Sequence, residues 1–429
     1  MRLAGSRGEL AYPAQPMTSR KPAAICVPAR YVPSLLLVLL VGLISVGCGT
    51  AGEYPVRTLP APKLDPAEES AQQVSRTRLA KARRAAPGLA AVQLPTPPRI
   101  WNSGATLSGP PAVTQDGRLL VANREGSLDL LTSSGTLLFS VTLPSAALGS
   151  PWVDECGTSY VATTRGVLVA TRSNGSRAWS FRAPYGIERG LAWVPSLGLL
   201  LCGRSGIVHA VGRNGATLLV ARVGGRVSAG PRAMGKVAVL GTEQGLVVYL
   251  ERSGRKRSVE VGGPVTSLYS TDSRIWAVAG KRAILLDRDG KTLGKFNHVK
   301  ALAGCAKRGQ IALLRADFSV AWRSVDGSLI AKQSLSKKDR AGLGPKPALA
   351  LDEQGRIWLA GRSGGLVVLD PQGAVGRWQL GNDWLLTPVP QPRDRRVLVG
   401  TSSGVVFAVP WLAHASSPLA AGGDDVTVR

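Results

Sequence analysis

The chain has 429 residues, of which 44% are hydrophobic, 5% aromatic and 19% charged, and it carries a formal net charge of +26 at pH 7. The apolar content is sufficient for a large buried core. A charge of this size gives affinity for polyanions such as nucleic acid or anionic lipid, but no RNA- or DNA-binding motif accompanies it. We interpret the basic residues as ordinary solvated charges and expect no nucleic-acid partner.

The first 47 residues have the features of an export signal. An apolar run over residues 34–47 (SLLLVLLVGLISVG) has the length of a signal-peptide core and is too short for a comfortable membrane span. Basic residues precede this run, and either Met1 or Met17 can be the start of the leader. We therefore predict that residues 1–47 form a signal peptide of the lipoprotein type and that the protein is exported.

Cys48 directly follows the apolar run and is preceded by a glycine. This arrangement resembles a bacterial lipobox, although Ser45 stands where leucine is usual. Ordinary cleavage nearby, with an incidental Cys48, is the alternative. We predict that Cys48 is lipidated, palmitate being a typical acyl chain, because a multiply acylated cysteine anchors a protein stably in a membrane. Gly49 follows where an aspartate would mark retention at the inner membrane, which favours the periplasmic face of the outer membrane.

Residues 48–98 change in character. They are rich in proline and alanine and lack a sustained apolar period, which is typical of a disordered tether. Within them, residues 66–84 could form a helix that begins with acidic and ends with basic side chains. At the other end of the chain, residues 413–429 are predicted to form a flexible tail.

A turn that ends in glycine recurs along the rest of the chain at intervals of about 40 residues. Its glycines are Gly135, Gly175, Gly215, Gly254, Gly290, Gly327 and Gly373. A second glycine turn lies about nine residues before the first in most repeats, at Gly126, Gly166, Gly206, Gly245, Gly364 and Gly404. Asn-Gly, Asp-Gly and Ser-Gly pairs supply the positive φ angles that tight hairpins require. The two turns therefore predict a repeated array of β-hairpins.

Short apolar runs lie between these turns, for example residues 119–122, 167–171 and 357–360, and no long helical period interrupts them. Each repeat thus holds three or four antiparallel strands, which cannot bury both faces alone but do so when stacked radially. We predict an all-β fold, a β-propeller of about eight four-stranded blades over residues 99–412. Residues 99–107 are expected to complete the last blade and close the ring. The count stays open between seven and nine because repeats five and six are degenerate.

The repeat resembles that of the PQQ-like propeller family, most clearly in residues 166–181 (GVLVATRSNGSRAWSF). That family places a tryptophan four residues after the turn glycine, and Trp179 follows Gly175 by four; Phe139 holds the same place after Gly135. An exported lipoprotein with such repeats resembles the BamB family of the outer-membrane β-barrel assembly machine, which implies a cofactor-free, protein-binding scaffold. Residues 352–370 are also similar to the propeller repeat of two-component sensors.

No catalytic or metal site is predicted. The vicinal cysteines that many PQQ enzymes use are missing, and the carboxylates are sparse and lie mostly in turns. Residues 287–290 (DRDG) are a fragment of a calcium loop, which we interpret as a hairpin turn. His209 is expected to be a packing residue. Cys156, Cys202 and Cys305 are isolated, and we expect free, buried thiols.

Tryptophans recur about once per blade, at Trp101, Trp152, Trp193, Trp276, Trp322, Trp358, Trp384 and Trp411. We interpret them as inter-blade packing residues, an exposed binding rim being the alternative. Together these observations predict a non-catalytic, monomeric envelope lipoprotein that binds protein partners without a cofactor. A ligand-sensing propeller and a PQQ-dependent quinoprotein are the alternative functions.

Overall fold

The computed structural model describes residues 94–411. The predicted signal peptide, Cys48, most of the predicted tether including residues 66–84, and the predicted tail lie outside the described residues. Within the described range the chain forms eight four-stranded antiparallel sheets. The all-β, eight-bladed propeller predicted from the repeats is therefore confirmed.

One strand precedes the first complete blade, β1 (Arg99–Asn102). Each of the first four blades then uses four consecutive strands. Blade one contains β2 (Ala112–Val113), β3 (Leu119–Ala122), β4 (Ser127–Leu131) and β5 (Leu137–Thr142); blade two contains β6 (Trp152–Val153), β7 (Ser159–Ala162), β8 (Val167–Thr171) and β9 (Arg177–Arg182). Blade three contains β10 (Arg189–Val194), β11 (Gly198–Cys202), β12 (Ile207–Val211) and β13 (Thr217–Arg222); blade four contains β14 (Val227–Met234), β15 (Val237–Thr242), β16 (Leu246–Leu250) and β17 (Lys256–Glu260).

The second half of the ring repeats this arrangement. Blade five contains β18 (Val265–Ser270), β19 (Arg274–Ala279), β20 (Arg282–Asp287) and β21 (Thr292–Asn297); blade six contains β22 (Val299–Cys305), β23 (Gln310–Arg315), β24 (Ser319–Ser324) and β25 (Leu329–Ser334). Blade seven contains β26 (Ala348–Leu351), β27 (Ile357–Ala360), β28 (Gly365–Asp370) and β29 (Gly373–Gln379); blade eight contains β30 (Val389–Gln391), β31 (Arg396–Gly400) and β32 (Val405–Pro410). Helical structure in the described range is limited to α1 (Lys337–Arg340) and a 3-10 turn at Arg204–Gly206.

The two middle strands of each blade form the core. In β11 and β12, for example, every residue is buried, because both faces of these strands pack against neighbouring blades. This environment explains why the middle strands are near-continuous runs of valine, leucine, isoleucine and alanine without polar alternation. The outermost strands instead alternate exposed and half-buried residues, as in β5 and β13.

The ring closes through β1. It pairs antiparallel with β32, with Arg99 opposite Phe407 and Asn102 opposite Val405, and so becomes the fourth strand of blade eight. The closing role predicted for residues 99–107 is confirmed. Just upstream, the backbone N–H of Leu94 donates to the carbonyl oxygen of Arg377 at 2.8 Å, so the chain approaches its closing position past blade seven.

The cysteines do not all behave as expected. Cys202 and Cys305 are buried, as predicted. The prediction of a free thiol is wrong for Cys156, which is disulfide-bonded. Cys156 lies in the turn between β6 and β7, where it is only half-buried, so the burial that isolates the other two thiols does not apply to it.

Candidate functional site

The seven predicted turn glycines lie at equivalent places in consecutive blades. Six lie in the turn between the third and fourth strands, and Gly373 is the first residue of β29. All seven have positive φ, between 82° at Gly254 and 152° at Gly373. Residues with a Cβ rarely adopt such values, so the backbone requires glycine at these places.

Trp179 connects one of these turns to the preceding blade. From β9 its indole Nε1–H donates to the carbonyl oxygen of Arg213 at 2.7 Å, in the β12–β13 turn of the next blade. A Cβ on Gly215 in the same turn would lie 2.9 Å from the Trp179 ring. Phe139 of β5 lies against Gly175 in the same manner, 3.1 Å from the Cβ position. The outer-strand aromatic thus packs on the turn glycine of the following blade.

The turn glycine meets the backbone of the adjacent blade where the ring closes. A Cβ on Gly135 would lie 1.8 Å from the carbonyl oxygen of Ile100 in β1, so blade eight lies directly against the third turn of blade one. Trp179 and the repeat-defining glycines other than Gly373, whose Cβ position meets nothing within 4 Å, therefore belong to the inter-blade contacts that hold the ring together. Their geometry gives them a structural role.

Most of the tryptophans pack between blades, as predicted. Trp276, Trp322 and Trp358 are fully buried, and their indole N–H groups donate to Val325 O, Gly355 O and Asp352 Oδ2, at 2.8 to 3.1 Å. Trp384 departs from the packing interpretation, because 47% of its surface is exposed.

The residues of the ring do not fit a PQQ or calcium site. Among the described residues no three His, Cys, Asp or Glu side chains are grouped as a metal site. The innermost strands β2, β6, β10, β14, β18, β22, β26 and β30 contain no Asp, Glu or Asn, although these residue types hold calcium and PQQ. The DRDG fragment is a hairpin turn, in which Asp287 Oδ1 accepts from the backbone N–H groups of Asp289 and Lys291.

His209 is a buried packing residue of β12. It is 1% exposed, neither ring nitrogen has a hydrogen-bond partner among the described residues, and burial lowers its pKa from 6.5. The imidazole therefore stays neutral, with its ring centroid 6.0 Å from that of Phe181 and 6.2 Å from that of Tyr185. This position agrees with the packing role expected for it.

The strand order places two sets of connections at opposite ends of the blades. One end of the blades, which we call the upper face, is formed by the connections between the second and third strands and by the connections between consecutive blades. The lower face holds the first-to-second and third-to-fourth connections. Both exposed large aromatic residues of the described range, Tyr185 and Trp384, lie in connections of the upper face, a feature that no repeat-level signal in the sequence predicts.

Cations accompany the aromatic residues of the upper face. The guanidinium of Arg362 lies over the Trp384 ring at 4.3 Å from its centroid. Phe318 lies between the ammonium of Lys300, at 4.3 Å, and the guanidinium of Arg340, at 5.5 Å. Phe318 also has φ +62°, an unfavourable value for a residue with a bulky side chain. These arrangements leave cation–aromatic pairs at the protein surface.

The longest connection of the upper face spans residues 335–347, between β25 and β26. It contains α1, whose N-cap Ser336 accepts from the backbone N–H of Asp339, and it presents exposed lysines, among them Lys337 and Lys346. Lys338 of this connection, together with Arg377 and Gln379 of β29, lines part of a cavity of about 370 Å³. The upper face is therefore aromatic, basic and uneven. No helix of the described range is long and apolar enough to cross a membrane.

Comparison with known proteins agrees with this geometry. A family model described as outer membrane protein assembly factor BamB matches residues 85–192. The solved structure of BamB from Moraxella catarrhalis aligns with a TM-score of 0.58 at 15% identity, covering 73% of this chain and 99% of that one. This chain is a β-propeller that resembles PQQ-like propellers and BamB. The match to the family model ends at residue 192, in the first strand of blade three, and blades one and two are the ones with an aromatic four residues after the turn glycine.

Two other solved structures align about equally well. The computationally designed Ika8 protein gives a TM-score of 0.60 at 14% identity, covering 76% of this chain and 100% of that one. Sqt1 from Saccharomyces cerevisiae gives 0.55 at 12% identity, covering 76% and 99%. No curated protein sequence matches this chain. At these identities the structural likenesses establish the fold, and the fold alone does not assign a function.

Proposed function

We propose that this protein is a non-catalytic cell-envelope lipoprotein whose propeller is a protein-binding scaffold in outer-membrane assembly. The observation that carries the proposal is the upper face, which exposes Tyr185 and Trp384 and holds the guanidinium of Arg362 over the Trp384 ring. Tyrosine, tryptophan and arginine are the residue types that dominate binding energy in protein interfaces. The resemblance to a protein whose name is that of an assembly factor supports the same reading.

Binding without catalysis is supported by the interior of the ring. The innermost strands supply the basic residues Arg189, Arg232 and Lys300 and no carboxylate, so they offer neither a general base of that kind nor hard ligands for a metal.

A capture experiment tests the scaffold. Full-length tagged protein is purified from detergent-solubilised membranes of the source cells, as wild type and as a Tyr185→Ala/Trp384→Ala variant. We expect wild type to retain partner proteins and the variant to lose most of them, because these two exposed aromatics are the side chains that the upper face offers to a partner. The matched control is Leu293→Ala, which removes an equally exposed apolar side chain from the outer strand β21. Recovery of nothing but the protein itself from wild type would refute the proposal.

The proposed anchor is a lipidated Cys48, which would hold the protein at the periplasmic face of the outer membrane. We propose that the anchored protein is monomeric. Labelling with a palmitate analogue tests the anchor in wild type and Cys48→Ala. We expect label only in the wild type, and equal label in both excludes lipidation at this residue. Membrane fractionation then separates the outer from the inner membrane.

A further inference from the structure

The fourth strand of each blade is the edge of its sheet. Such an edge offers unpaired backbone N–H and C=O groups to any extended chain, and proteins protect it with charged side chains. Seven of the eight outermost strands in the described range carry at least one charge. These are Arg177 and Arg182 in β9, Arg222 in β13, Lys256, Arg257 and Glu260 in β17, Lys295 in β21, Lys332 in β25, Arg377 in β29 and Arg99 in β1.

The outer strand of blade one is the exception. Its sequence is LLFSVT, without charge, proline or glycine. Leu137 and Leu138 are 44% and 48% exposed, and no residue in the described range pairs with the edge of β5 that faces away from β4. Exposed leucines occur on other outer strands too, but each of those strands also carries a charge. Blade one therefore combines an open edge, apolar side chains and no electrostatic protection.

We propose that β5 is a strand-addition site, at which an extended segment of an envelope protein partner pairs with the outer edge of blade one. This inference rests on the proposed scaffold function and names the form in which a partner binds. Backbone hydrogen bonds to an open edge recognise an extended chain, and the side chains beside it choose the sequence. Leu137 and Leu138 favour apolar or β-branched residues in that segment.

The neighbouring blades determine the charge of the partner segment. Ile100 lies against Gly135, which brings β1 with Arg99 beside the start of β5. On the other side Phe139 lies against Gly175, two residues before Arg177 at the start of β9. Basic residues of both neighbouring blades thus lie near the start of β5, and acidic residues at the end of the partner segment that meets this start complement them. A second copy of this protein, with its net charge of +26, would instead place like charges together.

A synthetic probe peptide of alternating valine and threonine, flanked by glutamates, tests the site on the full-length protein in detergent. Hydrogen–deuterium exchange is measured with and without the peptide, and binding is measured by fluorescence anisotropy. We expect slower exchange of the β5 amides, with β13 unchanged. Leu138→Lys places a charge on the edge and should weaken binding about tenfold. The matched control is Leu218→Lys, because Leu218 and Leu138 are the bulged residues of β13 and β5.

Thr142→Lys is a second variant, at an exposed position of the same strand. It shows whether weaker binding by Leu138→Lys comes from the charge on the strand edge or only from the loss of the Leu138 side chain. Unchanged β5 exchange, equal protection of β13, or full binding by both lysine variants would overturn the proposal. So would a dimer in analytical ultracentrifugation that Leu138→Lys dissociates, because the occupant would then be a second copy. If wild type captures partners that Leu138→Lys and Thr142→Lys still retain, the scaffold function stands and the strand-addition site fails.

Discussion

The contact between Trp179 and Gly215 predicts the effect of a single added methyl group. Gly215 has φ +83°, and a Cβ at this position would lie 2.9 Å from the Trp179 ring. The ring cannot move aside freely, because its Nε1–H donates to Arg213 O in the same turn at 2.7 Å. Gly215→Ala therefore strains the backbone and also separates two blades.

The magnitude follows from these two effects. Placing alanine in the left-handed region costs about 1 kcal/mol. Overpacking against a held side chain costs about 2 kcal/mol more, so Gly215→Ala should lower the free energy of unfolding by about 3 kcal/mol. Gly224 is the matched control, because its φ is +80° and a Cβ there would meet nothing within 4 Å. Gly224→Ala should cost only the backbone part, about 1 kcal/mol.

Urea unfolding followed by circular dichroism measures both variants. A second background, Trp179→Ala, separates the two effects: there the ring is gone, and Gly215→Ala should cost no more than Gly224→Ala. The expected coupling between the two positions is about 2 kcal/mol. Equal losses of unfolding free energy for Gly215→Ala and Gly224→Ala in the wild-type background would refute the inference that packing of Trp179 on Gly215 stabilises the contact between the two blades.

Three further outcomes follow from buried contacts. Asp352→Ala leaves the buried Arg356 guanidinium without its 2.8 Å carboxylate partner and should cost about 3 to 5 kcal/mol in denaturant unfolding. The lowered pKa of His209 means that unfolding takes up a proton below pH 6.5, so stability should fall there by at most about 1.4 kcal/mol per pH unit; His209→Leu should flatten a pH series of melts. Gly135→Ala would place a Cβ 1.8 Å from Ile100 O and should lower the melting temperature more than Gly224→Ala does.

The fold could be predicted because its turns repeat. A hairpin position with positive φ accepts few residues other than glycine, so Gly175 and Gly215 mark the same turn in successive blades. The spacing between such glycines then gives the length of one blade. The closing strand was predictable for a related reason: the last repeat is one strand short, and residues 99–102 are strand-like without belonging to the first repeat. Local backbone requirements and edge closure thus determine the architecture.

The features of the upper face could not be predicted in this way. Phe318 stands where other blades use glycine and tolerates φ +62°, while cations on β22 and in the 335–347 connection lie over its ring. That arrangement depends on contacts between blade six and a connection that has no counterpart in the repeat. Trp384 follows the tryptophan spacing, yet it lies in a connection and is exposed. The period predicts where a residue lies along the blade, but it does not predict what covers the residue.

The positive charge shows the same limit. In the sequence the basic residues are scattered among the turns and are consistent with ordinary solvation. The topology reveals that nine basic residues and one acidic residue, Glu260, lie on the outermost strands, which are the edges most at risk of unwanted pairing. Protection of the sheet edges therefore explains part of the net charge, and this explanation does not require a polyanionic partner. By the same reasoning the uncharged β5 lacks a protection that every other outer strand has, and this is why its edge is the one expected to bind.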